Sequence, residues 1–578
     1  MEYIKNNKKE ISLVLLISAL ALWFRIICLK NAGDLWIDEI YSYYFAAKDS
    51  VLDVVKALYA EDLHTPLYFI LLHLWIKFWG LFGLGENDTT MRLLGFIPSF
   101  LIVPISFYIG KNLFNKAAGY FAALMLAFSP FLIYYTTELR FYGMMCFFAL
   151  LSSFFFVKYL QNKDKKCGVS LIISNLLLLY TFNISFVFVF FQFLAGLFFN
   201  ENKREIVKLY LLIALFYLPG FIMTAHGMFS YKNAICSFSR DIFIYKPEFF
   251  SIFLQTYFSG NFFYATNNNY DYSALTFKNV NNIYLILCPI IFCITGFIRG
   301  LVSKNKTLYL FLLPGVLFLG FEFILAHFGM MSLTVRYTLI SYPMVVLACA
   351  YGFSILKFGR LKYLTEILFV LFLISIHNFI FAYQSPIEKD VEFGTPLKVT
   401  LDKLDIIKKD DYVLIPVMGK LYRRYTPKEA NYLDFEITDM LLNDVRKYYP
   451  IAFDDETIAR LNRKNAREIL YDYVTGEKSS KQLEKYLTRH FENFKPGTKF
   501  IVLVNNMNTI KSMSEFYTYT SDKKRELYYK NSLYYILMTR MVFDILDISN
   551  KNLVLKQKFV INDSKYSDNN TGVFVFVK

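Results

Sequence analysis

Two adjacent carboxylates, Asp38 and Glu39, stand in the stretch DLWIDEIYSYYFAAKD at 34–49, a few residues after the first long apolar run. A carboxylate in such a setting can serve as a general base toward a hydroxyl or amine. Arg92, Arg140 and Arg336, the last followed by Tyr337, can bind phosphate oxygens through planar, charge-assisted hydrogen bonds. His64 and Glu138 lie in comparable segments. Acids and arginines of this kind suit group transfer from a phosphorylated lipid. The bland alternative is that acids just beyond an apolar run are solvated loop charges and that arginines near helix ends snorkel to headgroups.

The elements that must position these side chains are membrane helices. Of the 578 residues, 56% are hydrophobic and 19% aromatic, with a positive mean hydropathy, far more apolar than a soluble enzyme of this length. Long apolar runs stop near residue 384. The sequence therefore divides into a membrane region at 1–383 and a polar region at 384–578. The tail from Ser385 carries 32 of the 62 Lys and Arg and 27 of the 47 acids, so most of the basic excess sits in the membrane region. There it marks the cytoplasmic loops rather than a nucleic-acid surface.

With about 20 apolar residues needed per crossing, eleven spans are expected, near 11–29, 93–110, 118–136, 140–160, 169–182, 184–199, 208–225, 281–298, 307–326, 337–356 and 362–383. The run HTPLYFILLHLWIKFWGLFGLG at 64–85 is long enough to be another. If it crossed, Lys111, Lys116 and the lysines at 158–166 would face outward. If it lies in the interface, the basic loops at 111–116, 158–166, 200–208, 299–306 and 357–362 all face the cytoplasm. His73 and Lys77, one turn apart and flanked by Trp75 and Trp79, read as the polar stripe of an interfacial helix. On that topology 30–92, the turn at 135–140, 226–280, 327–337 and the tail share the outer face with Asp38 and Glu39.

The N-terminus has a basic start and an apolar run that continues through Trp23 to Cys28, which suits a retained anchor; Ala19-Leu20-Ala21 makes a cleaved signal peptide the alternative. The seven cysteines show no disulfide framework and no zinc spacing. Glu322 falls inside an expected span, where an acid is a functional candidate by default. His327 follows five residues later, about 140° away around a regular helix. The loop at 257–277 is rich in Tyr, Phe and Asn, and reads as an aromatic belt or a sugar-stacking surface. In the tail, 411–417, 499–506 and 571–578 read as strands with helical stretches such as 484–494 between them, giving an extracytoplasmic α/β domain.

The strings LWIDEIYSYYFA (35–46), HTPLYFILLHLW (64–75), MRLLGFIPSFL (91–101), SPFLIYYTTELRFYGM (129–144) and RYTLISYP (336–343) resemble signatures of the GT-C glycosyltransferase superfamily. Within it they resemble the branch of protein O-mannosyltransferases and lipid A aminoarabinose transferases, in the same order over roughly residues 10–383. The resemblance implies a polytopic α-helical membrane enzyme at a bacterial plasma membrane. Its implied partners are a polyprenyl-phosphate-linked sugar donor, an extracytoplasmic acceptor and the bilayer, without nucleic acid. Asp38 would be the catalytic acid of the first outer loop and Glu39 its orienter. Arg92, Arg140, Arg336 and Tyr337 would bind the donor phosphate, with His64, Glu138, Tyr142, Glu322 and His327 in support.

Relatives often show His-Pro-Pro or Glu-Lys-Pro where this sequence has His64-Thr65-Pro66, keeping the first residue and the proline but placing Thr in the middle, a departure that puts a basic phosphate contact there in question. Similarly, Asn183 stands where some relatives have a histidine. No metal ligand set is expected, although an acid pair can hold a divalent cation through oxygen ligands. The competing functions are a lipid-linked-sugar polymerase or ligase and a non-enzymatic flippase. The flippase would place polar groups and broken helices at the midplane.

Overall fold

The computed structural model describes residues 8–230, Tyr257, 283–327, 335–356 and, in the C-terminal part, 405–416, 423–433, 481–505, 533–561 and 571–578, with single positions excepted or added. The described residues form two compact units, one holding those before position 386 and the other those after it.

The first unit is helical. α1 (Lys8–Lys30) is an uninterrupted apolar helix whose last residue, a lysine, suits the negative end of the helix dipole. α2 (Ile37–Ala46) carries Asp38 and Glu39 in its first turn, where the positive end favours acids. α3 (Val51–Glu61) starts at Ser50, whose hydroxyl accepts from the Asp53 amide. α4 (Leu67–Gly80) follows. Asn87, Asn115 and Ser129 similarly cap α5 (Asp88–Leu113), α6 (Lys116–Phe128) and α7 (Pro130–Thr136), and Pro130 occupies the first turn of α7. Next come α8 (Tyr142–Asn162), α9 (Lys165–Thr181), α10 (Ser185–Phe199), α11 (Lys203–Ser230), α12 (Ile283–Val302) and α13 (Lys306–His327). A 3₁₀ turn at Val335–Ile340 then leads into α14 (Tyr342–Ser354).

Among the described residues five helices, α1, α5, α8, α11 and α13, are long and apolar enough to cross a membrane, or six if α6 and α7, bent by 57°, act as one. The expected spans at 184–199 and 337–356 and the described end of the one at 281–298 are apolar helices shorter than 18 residues, and the one at 169–182 falls in a helix of 17 residues. The expected span at 362–383 lies largely outside the described residues, as do most of 226–280 and the loop at 357–362.

Both ends of the bundle can be traced by contacts. Glu10 at the start of α1 pairs with Lys111 and with Lys116, the latter at 2.7 Å. The chain between residues 10 and 111 therefore returns to the end it left. α1 and α5 supply the two crossings. α4, with 14 residues, spans about 21 Å and is too short to cross upright. Asn115 donates to Ser354 at 2.8 Å and Gln161 to Thr307 at 3.0 Å, while the rings of Phe114 and Phe311 lie 6.3 Å apart. These contacts gather the loops at 111–116, 158–166 and 299–306 at that same end.

α4 lies against the opposite end. Its Trp75 indole donates to the Thr90 carbonyl at 2.8 Å, and Leu74, Phe78, Leu81 and Phe82 are left exposed, as a helix bedded in the interface requires. His73 departs from the expected polar stripe. It is buried and bonded through Nδ1 to the Ala46 carbonyl at 2.9 Å, so it ties α4 to α2, while Lys77 stays exposed.

The second unit contains a five-stranded sheet of β1 (Tyr412–Leu414), β2 (Asn431–Tyr432), β3 (Lys499–Asn505), β4 (Val554–Ile561) and β5 (Thr571–Val577), in the order β2-β1-β3-β5-β4. β1 is parallel to β2 and β3, whereas β5 runs antiparallel to β3 and β4. α15 (Lys481–Glu492) and α16 (Leu533–Asn552) complete it. Phe491 of α15 packs on Phe500 of β3, with ring centroids 5.0 Å apart.

Candidate active site

At the end of the bundle away from Glu10, three segments far apart in sequence meet: the first turn of α2, the turn between α7 and α8, and the 3₁₀ turn before α14. The turn at 137–141 is held by close backbone packing. A Cβ on Gly143 would come within 2.2 Å of the Gly95 carbonyl, and one on Gly95 would sit 3.3–3.4 Å from the carbonyls of Arg140, Glu138 and Thr136. Two glycines thus let α5 and the start of α8 touch through their backbones.

A buried polar chain fixes the same turn from α1. Arg25 donates to the Ser99 hydroxyl at 2.9 Å and to the carbonyls of Ala21 and Leu126. Ser99 in turn bonds Thr136, whose hydroxyl donates to the Leu132 carbonyl.

Glu39 is wholly buried. Its carboxylate accepts from Arg92 Nε at 2.7 Å and Nη2 at 2.6 Å, and from the Leu139 amide at 2.6 Å. One carboxylate therefore fastens α2, α5 and the 137–141 turn together. This revises the expectation for Arg92: two of its nitrogens are taken by Glu39, and the side chain is 2% exposed.

Asp38 faces the other way. It is partly open, and its carboxylate meets Arg336 Nη1 at 3.0 Å. Arg140, buried, donates through Nη1 to the Asp38 carbonyl at 3.1 Å and to the Ser42 hydroxyl at 3.2 Å. Among the described residues no carboxylate lies within ion-pair distance of Arg140. Burial lowers the pKa of both guanidiniums. For Arg140 the charge of Asp38 outweighs that effect, and for Arg336 Tyr142 and Asp38 do, so both are raised above the usual value. Both remain cations at any working pH.

Aromatic rings wall the site. The Arg140 guanidinium lies 5.1 Å from the Phe141 ring and that of Arg336 5.7 Å from the Tyr337 ring. Phe141 is surrounded by Tyr142 at 4.9 Å, Phe182 at 5.0 Å, His64 at 5.3 Å and Tyr68 at 6.3 Å between centroids. Tyr337 packs on Phe182 at 5.8 Å. His64 Nδ1 is held by the buried carboxylate of Asp62 at 2.8 Å, which fixes the ring orientation. Sequence reasoning passed over Asp62. The Asp-x-His spacing was its only signal, and that becomes meaningful once Asp62 is seen to be buried.

Of the remaining expected residues, Glu138 is buried in the same turn, and its charge is felt by Tyr135 and Tyr68. Glu322 is buried in α13 with both carboxylate oxygens unpartnered, near enough to Tyr257 to act on it electrostatically. Tyr257 in turn donates to the Thr338 carbonyl at 2.7 Å, which connects Glu322 to the back of the turn carrying Arg336. The side chain of His327 lies outside the described residues. Among the described residues no group of three or more His, Cys, Asp or Glu is placed to hold a metal ion.

Residues 64–225 match the family model described as dolichyl-phosphate-mannose-protein mannosyltransferase. That segment includes His64, Arg92, Glu138, Arg140 and Tyr142. Among solved structures, the chain is similar to ArnT from Cupriavidus metallidurans in the apo state, at 10% identity, with 98% of each chain covered and a TM-score of 0.49. It is also similar to the same protein bound to undecaprenyl phosphate, at 9% identity, 97% of each chain and a TM-score of 0.47. A third is the oligosaccharyltransferase AglB from Archaeoglobus fulgidus in complex with an inhibitory peptide and a dolichol-phosphate, at 13% identity, 88% of this chain, 71% of the other and a TM-score of 0.47. A comparison with curated proteins finds no match.

Proposed function

We propose that this chain is a membrane glycosyltransferase that moves a sugar from a polyprenyl-phosphate carrier to an acceptor at the outer face of a bacterial plasma membrane. The single observation that carries the reading is Arg140, a buried cation in the turn at 137–141 that bonds the Asp38 carbonyl and the Ser42 hydroxyl but, among the described residues, lies within ion-pair distance of no acid. Asp38 acts on it without direct contact between the charged groups; a buried charge lacking a contacting counter-ion is costly, and a phosphate would supply that contact. The family match over 64–225 supports the same class.

Asp38 is the base. The acceptor oxygen or nitrogen attacks the anomeric carbon while the carbon–oxygen bond to phosphate breaks on the opposite side. The acceptor proton passes to the Asp38 carboxylate, and polyprenyl phosphate departs with inversion at carbon. Arg336, 3.0 Å from Asp38, orients that carboxylate and with Arg140 neutralises the charge that grows on the phosphate. Tyr337 bounds the phosphate side, His64 and Tyr142 the wall facing Phe141. Glu39 and Arg92 act as positioning residues. The N-terminus and the basic loops face the cytoplasm by their charge, and the C-terminal unit lies outside the membrane.

The test uses purified protein in lipid nanodiscs, a labelled polyprenyl-phosphate sugar and an extract of membrane acceptors. Label should pass to acceptor without any sugar nucleotide. Release or translocation of the intact lipid-linked sugar, with no new glycosidic bond, would instead support the flippase reading.

A further inference from the structure

Among the described residues several buried polar atoms have no hydrogen-bond partner, including the hydroxyls of Thr65, Tyr68 and Tyr142, and Arg140 Nε. Tyr68, Tyr142 and Arg140 belong to one cluster, and Thr65 adjoins it along the chain. The rings of Tyr68 and Tyr142 flank Phe141 at 6.3 and 4.9 Å, the Arg140 guanidinium is 5.1 Å from the same ring, and Thr65 follows His64, whose ring is 5.3 Å away. The phenol of Tyr68 is close enough to feel the charges of Arg140, Glu39 and Glu138. Buried hydroxyls without partners are rare in folded proteins, and three in neighbouring parts of the fold are poorly explained by packing. Phe would fill the places of Tyr68 and Tyr142 as well, and Val that of Thr65.

We infer that Thr65, Tyr68 and Tyr142 form a subsite for the hydroxyl groups of the donor sugar, and that Thr65 and Tyr68 are specificity-determining residues. The inference rests on the transferase reading above and deepens it. Charge division favours a sugar over the phosphate as the ligand of these groups. The guanidiniums lie on the 137–141 and 335–340 turns, whereas Thr65 just precedes α4, Tyr68 lies in its first turn, and both are neutral. A hydroxyl both donates and accepts, which matches a sugar hydroxyl, while a phosphate dianion only accepts. A site built to bond a substrate hydroxyl also rejects analogues that lack it, because its own buried groups are then left unpaired.

The experiment compares the intact protein with Tyr68→Phe and Thr65→Val, each keeping the packing volume. Thermal stability without ligand is measured first, then binding of dolichyl phosphate and of dolichyl phosphate mannose, the donor in the matched family's description. The expected result is unchanged or raised melting temperature, dolichyl phosphate affinity within about twofold of wild type, and affinity for the mannose-loaded lipid lowered roughly tenfold or more. A melting temperature that falls in both variants would show that the hydroxyls serve the fold. Equal losses for both lipids would assign them to the phosphate, and no loss for either would remove them from the site; each overturns the inference while leaving the transferase reading intact. Wild-type protein that binds neither lipid would overturn both.

Discussion

Glu39 grips Arg92 through two hydrogen bonds of 2.7 and 2.6 Å, with both side chains closed to solvent, while its neighbour Asp38 turns outward to Arg336. Adjacent acids of one helix turn thus divide the labour. One holds the site together and the other stays accessible for chemistry. Because a buried pair costs much when only one partner is removed, Glu39→Ala should lower stability by about 3–5 kcal/mol. The double change Glu39→Leu with Arg92→Met should recover most of that loss. Thermal melts of the three variants in detergent check this, and a double variant as unstable as the single one would mean that Glu39 acts chiefly through the Leu139 amide.

Among the described residues Arg140 has no acid in ion-pair contact, only the more distant charge of Asp38, so its removal should be felt by the ligand more than by the fold. Arg140→Gln should weaken binding of bare polyprenyl phosphate and lower transfer by about 10²–10³-fold, with a smaller effect from Arg140→Lys. Titration of the lipid against both variants measures this. Equal affinity in wild type and Arg140→Gln would remove Arg140 from the phosphate.

Gly143 touches the Gly95 carbonyl so closely that a methyl group has no room. Gly143→Ala should therefore push α8 from α5, cost about 1–3 kcal/mol as overpacking does, and displace the turn that carries Glu138 and Arg140. Transfer should fall even in the fraction that stays folded. An active and equally stable Gly143→Ala protein would show that the turn does not depend on this contact.

The path of α4 along the surface, rather than through the membrane, predicts the side of the loop that follows it. A cysteine placed at Glu86 should react with an impermeant thiol reagent added to intact cells. Reaction only after the cytoplasmic face is opened would reverse the topology.

Much of this site is visible in the primary structure, though unevenly. The acids, the arginines and their common face could be found because charge in an apolar sequence is conspicuous and because loop lysines sort the sides. Which acid meets which arginine could not, since Glu39 and Arg92 are 53 positions apart and Asp38 and Arg336 nearly 300, and only tertiary packing chooses between them. Arg25 gave no sign of its bond to Ser99 for the same reason. The hydroxyls of Thr65 and Tyr68 are unremarkable until burial leaves them without partners. In the second unit the buried strands β3 and β5 stand out as apolar runs. β4 does not, because its outward side chains, including Lys556 and Lys558, are those of an exposed sheet edge. β2 is too short to announce itself.

The central claim is that the Asp38 carboxylate takes the acceptor's proton, and its most direct test is the rate of sugar transfer by Asp38→Asn at matched expression and matched melting temperature. The amide keeps the shape but cannot act as a base, so transfer should fall by about 10²–10⁴-fold while polyprenyl phosphate still binds. Undiminished transfer by the Asp38→Asn protein would contradict the account.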